Sequence, residues 1–123
     1  MRILIVDDSK VIQKAIAKYI QKFDLKIVGQ AGDGKEALAM FREKDPDIVT
    51  LDITMPEMDG LTCLEEMLKI KKETSIIIVS AMSARKTALT AMEKGAVAFV
   101  SKPFNEEKMS KTLEKILEKR KND

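Results

Sequence analysis

The sequence predicts a single α/β domain, a doubly wound five-stranded parallel sheet with helices on both faces in a (βα)5 arrangement. Three observations predict it. Five short runs of branched apolar residues alternate with longer stretches whose apolar positions recur at helical spacing. Strict strand-helix alternation of this kind makes parallel sheets with right-handed crossovers. The 123 residues suffice for one domain with a proper core and are too few for two.

The strand candidates are residues 3–6, 26–30, 47–51, 76–80 and 98–101. The first, Ile3, Leu4, Ile5 and Val6, has no polar alternation and reads as buried on both faces. Behind it, Val11, Ile12, Ala15, Ile16, Tyr19 and Ile20 mark the first helix. Asp33 followed by Glu36 resembles a capping box ahead of Ala37, Leu38, Met40 and Phe41. The third helix is expected to start near Leu61 and to bury Leu61, Leu64, Met67 and Leu68. The fourth has a weaker pattern from about Ser83 to Gly95, where glycine suits the residue just past a helix end. Asn105 can cap the fifth, whose buried stripe is Met109, Leu113, Ile116 and Leu117. The charged run 119–123 reads as a fraying end, which places the domain at 1–120 and the frayed end at 121–123.

Composition narrows the function. Hydrophobic residues make up 45% and charged residues 34%, the balance of a soluble globular protein. The net charge of +2 points to neither nucleic acid nor a membrane surface as partner. No apolar run approaches ~18 residues, so no membrane span is expected. The chain enters its first strand without the layout of a signal peptide. The lone Cys63 cannot form an internal disulfide, which suits the reducing cytosol, and its place on the apolar side of the third helix reads as packing. The absence of histidine excludes phosphohistidine carriers, His-based nucleophile triads and His-ligated metals.

In a doubly wound sheet, ligands sit at the carboxyl ends of the strands. The first strand candidate runs into Asp7 and Asp8, the third is followed by Asp52, the fourth ends in Ser80, and the fifth is followed by Lys102. Three carboxylates, one hydroxyl and one ammonium therefore converge on one edge. Adjacent carboxylates repel and call for a cation, and an oxygen-only set of this kind suits Mg²⁺, which keeps waters beside a few carboxylates. Ser80 and Lys102 can hold oxyanion oxygens, and aspartate is a nucleophile toward phosphorus. Phosphoryl transfer needs mostly positioning and charge neutralisation. The edge is suited to taking a phosphoryl group on one aspartate.

These residues carry a resemblance. IVDDSK at 5–10, LDITMPEMDG at 51–60, SAM at 80–82 and SKPF at 101–104 resemble the motifs of the receiver domains of two-component response regulators, closest to the stand-alone CheY type of chemotaxis. The likeness covers residues 1 to about 120, and the motifs fall in the family's order. It implies the flavodoxin-like strand order 2-1-3-4-5 and makes Asp52 the phosphoacceptor. Asp8, Asp52 and the Thr54 carbonyl would bind Mg²⁺ directly, with Asp7 reaching it through water. Ser80 and Lys102 would hold the phosphoryl oxygens. The family has a cis peptide before the proline matching Pro103, and Lys-Pro permits one. Ser80 and Phe99 match the paired switch positions, which would remodel the face made by helix 4, strand 5 and helix 5. Phe99 stands where the best-known flagellar regulators have tyrosine, so it can bury but cannot donate a hydrogen bond.

The resemblance further implies a cytoplasmic, monomeric signalling protein that is not an enzyme beyond its own phosphorylation and slow autodephosphorylation. Its partners would be a sensor histidine kinase, a downstream target such as the flagellar motor switch, and a phosphatase, with no direct nucleic-acid or membrane partner. A phosphorelay intermediate, a receiver cut from a longer regulator, and a binding module without phosphorylation stay open as alternatives.

Other readings weigh less. The stretch 29–36, GQAGDGKE, mimics a nucleotide phosphate loop, but Glu36 replaces the hydroxyl that should hold Mg²⁺ and would repel phosphates. A phosphatase with an aspartate nucleophile needs an acid two residues on, where Thr54 stands. Thr54 and Met82, flanking the entry, would tune slow hydrolysis. Lys10, Lys14, Lys18 and Lys22 form a stripe at i, i+4 spacing, either a solvated face or a docking face for an acidic partner. Met55, Met58 and the other methionines read mostly as core, with Met82 also a contact point for partners.

Overall fold

Each of the five apolar runs forms a strand, and each is followed by a helix. The computed structural model describes residues 1–53 and 59–122. The chain runs β1 (Arg2–Val6), α1 (Lys10–Tyr19), β2 (Lys26–Ala31), α2 (Gly34–Lys44), β3 (Ile48–Asp52), α3 (Gly60–Ile70), β4 (Ser75–Ala81), a 3₁₀ turn (Met82–Ala84), α4 (Arg85–Glu93), β5 (Ala98–Lys102) and α5 (Glu106–Asn122). The strands form one sheet in the order β2-β1-β3-β4-β5, and every neighbouring pair is parallel. This is the order that the resemblance implied.

The interior strands β1, β3 and β4 bury both faces, which divides the core into two layers. Leu4, Val6, Val49, Leu51, Ile76 and Ile78 pack toward α2, α3 and α4, where Phe41, Leu64 and Met67 meet them. Ile3, Ile5, Ile48, Ile77, Val79 and Val100 pack toward Ile16 and Ile20 of α1 and Met109, Leu113 and Ile116 of α5. Each fully buried aliphatic side chain contributes about 1.5–3 kcal/mol, so the interior strands β1, β3 and β4 supply much of the hydrophobic term. One position in the second layer is polar. Thr50 stands in register between Ile5 and Ile77, and its buried hydroxyl has no hydrogen-bond partner among the described residues. Thr50→Val keeps the shape and removes that desolvated group, so it is expected to raise stability by about 1 kcal/mol in urea denaturation.

Helix starts follow from short polar side chains. Asp33 accepts from the Glu36 amide at 2.8 Å, Asp59 from the Thr62 amide at 2.9 Å, and Asn105 from the Lys108 amide at 2.9 Å. Ser9 caps α1 through the Ile12 amide, at 3.3 Å. The start of α4 has no side-chain cap, since Ala84 holds that place. At its other end Gly95 takes a φ of 121°, and the Ala96 amide reaches back to the Ala91 carbonyl at 3.0 Å. That left-handed turn stops α4 where glycine was expected to stop it. The buried stripe of α3 differs from expectation. Cys63 fills the core beside Leu64 and Met67, while Leu61 and Leu68 are only half-buried. Burial pushes the Cys63 thiol up to about 12, so it behaves as an inert packing group.

The amino ends of the strands are held by charge. Asp47 accepts from the Arg2 amide at 2.9 Å and pairs with Lys71 at 3.4 Å and Arg120 at 3.8 Å. Burial alone would raise its carboxyl, but the Arg2 amide, Lys71 and Arg120 outweigh burial and hold it below the ordinary range. That contribution is complete at neutral pH and is lost as the pH falls through the depressed value. Arg120 also donates to the Glu73 carbonyl at 2.9 Å and the Ser75 hydroxyl at 2.8 Å. These anchors explain why α5 continues to Asn122 through a stretch whose charge suggested fraying. Among the described residues, no helix is long and apolar enough to cross a membrane.

Candidate functional site

The opposite end of the sheet gathers the carboxylates. Asp7 leaves β1 fully buried, Asp8 follows it into solvent, and Asp52 closes β3 at 1% exposure. One carboxylate oxygen from each of the three lies within 4.8 Å of the others. Lys102, the last residue of β5, points its ammonium between two of them, 2.9 Å from Asp7 Oδ2 and 3.5 Å from Asp52 Oδ2. The Lys102–Pro103 peptide is cis. The other Asp7 oxygen, Oδ1, accepts from the Ser9 amide at 2.9 Å.

Burial raises the Asp7 carboxyl above its ordinary value, and the Asp52 charge adds to this against the Ser9 amide and Lys102. Burial would lower the Lys102 ammonium, but Asp7 and Asp52 outweigh it and hold the amine more firmly protonated. One ammonium cannot balance three carboxylates. The donor set is all oxygen, close-spaced and open at Asp8, which fits a hard divalent cation that retains several waters. A Cys- or His-seeking metal has no ligand here. Thr54, expected to add a carbonyl, lies outside the described residues, as do Met55, Met58 and the side chain of Met82.

Ser80 is buried on β4 in register with Ser101, and its hydroxyl lies 3.5 Å from the Ala81 carbonyl. That contact is long for a hydroxyl donor and leaves the group uncommitted in direction. Phe99 is half-buried on β5 and lines an apolar cleft of about 200 Å³ with Arg85, Ala88, Leu89 and Met92 of α4. The four lysines of the α1 stripe are all exposed. Gly34, Lys35 and Glu36 open α2 behind the Asp33 cap, a turn and cap in place of a nucleotide loop. One residue at this edge had drawn no notice in the sequence. Gln13 lies on the buried side of α1, at 1% exposure, and donates to the Asp7 carbonyl at 2.7 Å and the Ala31 carbonyl at 3.2 Å. The signal that could have found it is a polar residue three positions before Ile16 and seven before Ile20, within the apolar stripe.

The family model described as a response regulator receiver domain matches residues 3–114. The chain belongs to that family. The receiver is 38% identical to a chemotaxis protein CheY of Thermotoga maritima, covering 94% of this chain and 96% of that protein. It is 39% identical to a CheY of Bacillus subtilis, over 94% and 97%. A protein-glutamate methylesterase/protein-glutamine glutaminase of Archaeoglobus fulgidus is 42% identical over 84% of the receiver but only 30% of its own length. Among solved structures, the receiver domain of AraT from Geobacillus stearothermophilus superposes with a TM-score of 0.94 at 26% identity, over 98% of this chain and 95% of that one. Receivers of this type are phosphoacceptor signalling proteins that generally bind Mg²⁺ at an aspartate cluster. They are phosphorylated by histidine kinases and act on downstream targets. The acidic pocket of Asp7, Asp8 and Asp52 is such a cluster.

Proposed function

We propose that this receiver accepts a phosphoryl group on Asp52 from the phosphohistidine of a sensor kinase and passes the signal on by a change of surface. The observation that carries this reading is the placement of the Asp52 carboxylate between Asp7, Asp8 and the Lys102 ammonium. An Asp52 oxygen attacks phosphorus, the bond from phosphorus to the donor's imidazole nitrogen breaks, and the imidazole leaves. Lys102 and the Ser80 hydroxyl bind the oxygens of the transferred group. Asp7, Asp8 and Asp52, together with Thr54, would hold Mg²⁺. When bound there, the cation would supply charge neutralisation for the phosphoryl oxygens.

The Ser80 hydroxyl then turns toward the phosphoryl group and Phe99 fills the space behind it, which reshapes the face of α4, β5 and α5. Chemotaxis is the pathway favoured by likeness to CheY proteins along 96% and 97% of their length. A flagellar motor switch is the matching target, with a phosphatase to reset a monomeric cytoplasmic protein.

The metal site gives the first test. Titration with Mg²⁺ is expected to shift the backbone amides of Asp7, Asp8 and Asp52 and to saturate weakly, because few protein ligands are on offer. Shifts centred on Lys35 and Glu36 would instead revive the nucleotide-loop reading.

A further inference from the structure

The structure assigns to Gln13 the role of a positioning residue for the acidic cluster, an inference that rests on reading that cluster as a cation site. Its side-chain amide has two hydrogens, and both are used: one on the Asp7 carbonyl at 2.7 Å, the other on the Ala31 carbonyl at 3.2 Å. The same Ala31 carbonyl accepts from the Asp7 amide at 3.0 Å. Asp7 is thus gripped at its amide and at its carbonyl, and both grips meet at the end of β2. The Asp7 carbonyl lies beyond the last paired residue of β1, where the neighbouring strands no longer set its direction. Because a peptide unit is planar, fixing that carbonyl also fixes the amide of Asp8 and so the starting point of its side chain. Gln13 touches neither carboxylate. It acts through the Asp7–Asp8 peptide, whose two carboxylates must stay within reach of Asp52.

A side chain of similar length that cannot donate leaves the Asp7 carbonyl buried and unpaired unless the peptide turns toward solvent, which carries Asp8 out of the cluster. Groups that orient metal ligands from behind alter metal affinity about 10–100-fold when removed. Gln13→Met is therefore expected to raise the Mg²⁺ dissociation constant, read from amide shifts in the full chain, by about tenfold. Ile16→Val trims the same buried face of α1 without touching the site, and is expected to leave that constant within about twofold of the parent. A merely structural Gln13 would move stability in both variants and Mg²⁺ affinity in neither.

The parent protein supplies a check that needs no variant. The Gln13 side-chain amide resonances are expected to shift during the Mg²⁺ titration, following Asp7 and Asp8. Parent-like affinity in Gln13→Met, or Gln13 resonances that stay fixed while those of Asp7 and Asp8 move, overturns the assignment and leaves the cation site standing. A parent whose Asp7, Asp8 and Asp52 amides ignore Mg²⁺ overturns the cation site itself, and the assignment with it.

Discussion

Asp52→Asn is expected to abolish incorporation of an alkali-labile phosphoryl group from a small phosphodonor supplied with Mg²⁺. The parent is expected to gain one such group, with the lability of an acyl phosphate. Asparagine keeps the shape of the side chain that ends β3, so the buried site retains its packing, but the amide is no nucleophile toward phosphorus. Asp7 and Asp8 keep their places in the acidic cluster, and Lys102 keeps its Asp7 partner, 2.9 Å away in the parent. Loss of labelling therefore reports the acceptor and not a collapsed pocket. Removing one of three clustered carboxylates also relieves repulsion, so the variant is expected to be no less stable than the parent in urea. Intact mass and alkali treatment read the outcome. Labelling that survives in the variant, or that maps to a serine or threonine, removes Asp52 from the role.

The second large effect is structural and lies at the first residue of α3. Gly60→Ala is expected to destabilise the domain by about 3 kcal/mol or more, read as a shift in the urea midpoint. In a helix alanine is ordinarily better than glycine by about 1 kcal/mol, so propensity alone predicts the opposite sign. Space decides. A Cβ on Gly60 would collide with Ile53 Cα and lie 2.8 Å from its Cβ and Cγ2, and the backbone cannot swing aside as a side chain can. The Gly60 amide also donates to the Ile53 carbonyl at 3.2 Å, which closes the connection between β3 and α3 beside Asp52. Gly32 gives the contrast, since a Cβ there would meet no atom of the described residues beyond its chain neighbours within 4 Å. Gly32→Ala is expected to shift stability by no more than about 0.5 kcal/mol. A Gly60→Ala variant at least as stable as the parent would show that helix propensity, and not the Ile53 contact, governs position 60.

The parts of the fold that repeat were readable from the residues. Ile3 to Val6 read as a strand buried on both sides, and Asp33 with Glu36 marked the start of α2, because each signal is carried by neighbours in the chain. What escaped notice depends on contacts between distant segments. Asp47 looked like the first residue of a strand, and only the fold brings Arg2, Lys71 and Arg120 around it. Gln13 sat unremarked among apolar neighbours because its partners are carbonyls, which every residue has. Cys63 was legible as a packing group on the apolar side of the third helix, whereas Leu61 and Leu68, expected to be buried, pack against the core only half-covered. The carboxylate edge was legible because strand ends can be counted. The cis state of the Lys102–Pro103 bond was not, because both isomers are open to any Lys-Pro pair.

The two ends of the sheet answer ionic strength with opposite signs. At the Asp47 end, partly exposed charges attract, and dissolved salt weakens them over a Debye length of about 8 Å near 0.15 M. At the Asp7 end like charges crowd, and the same ions ease their repulsion, most of all around exposed Asp8. Salt therefore moves stability along the strands from their amino ends toward their carboxyl ends, loosening the α5 anchor while quieting the acidic rim.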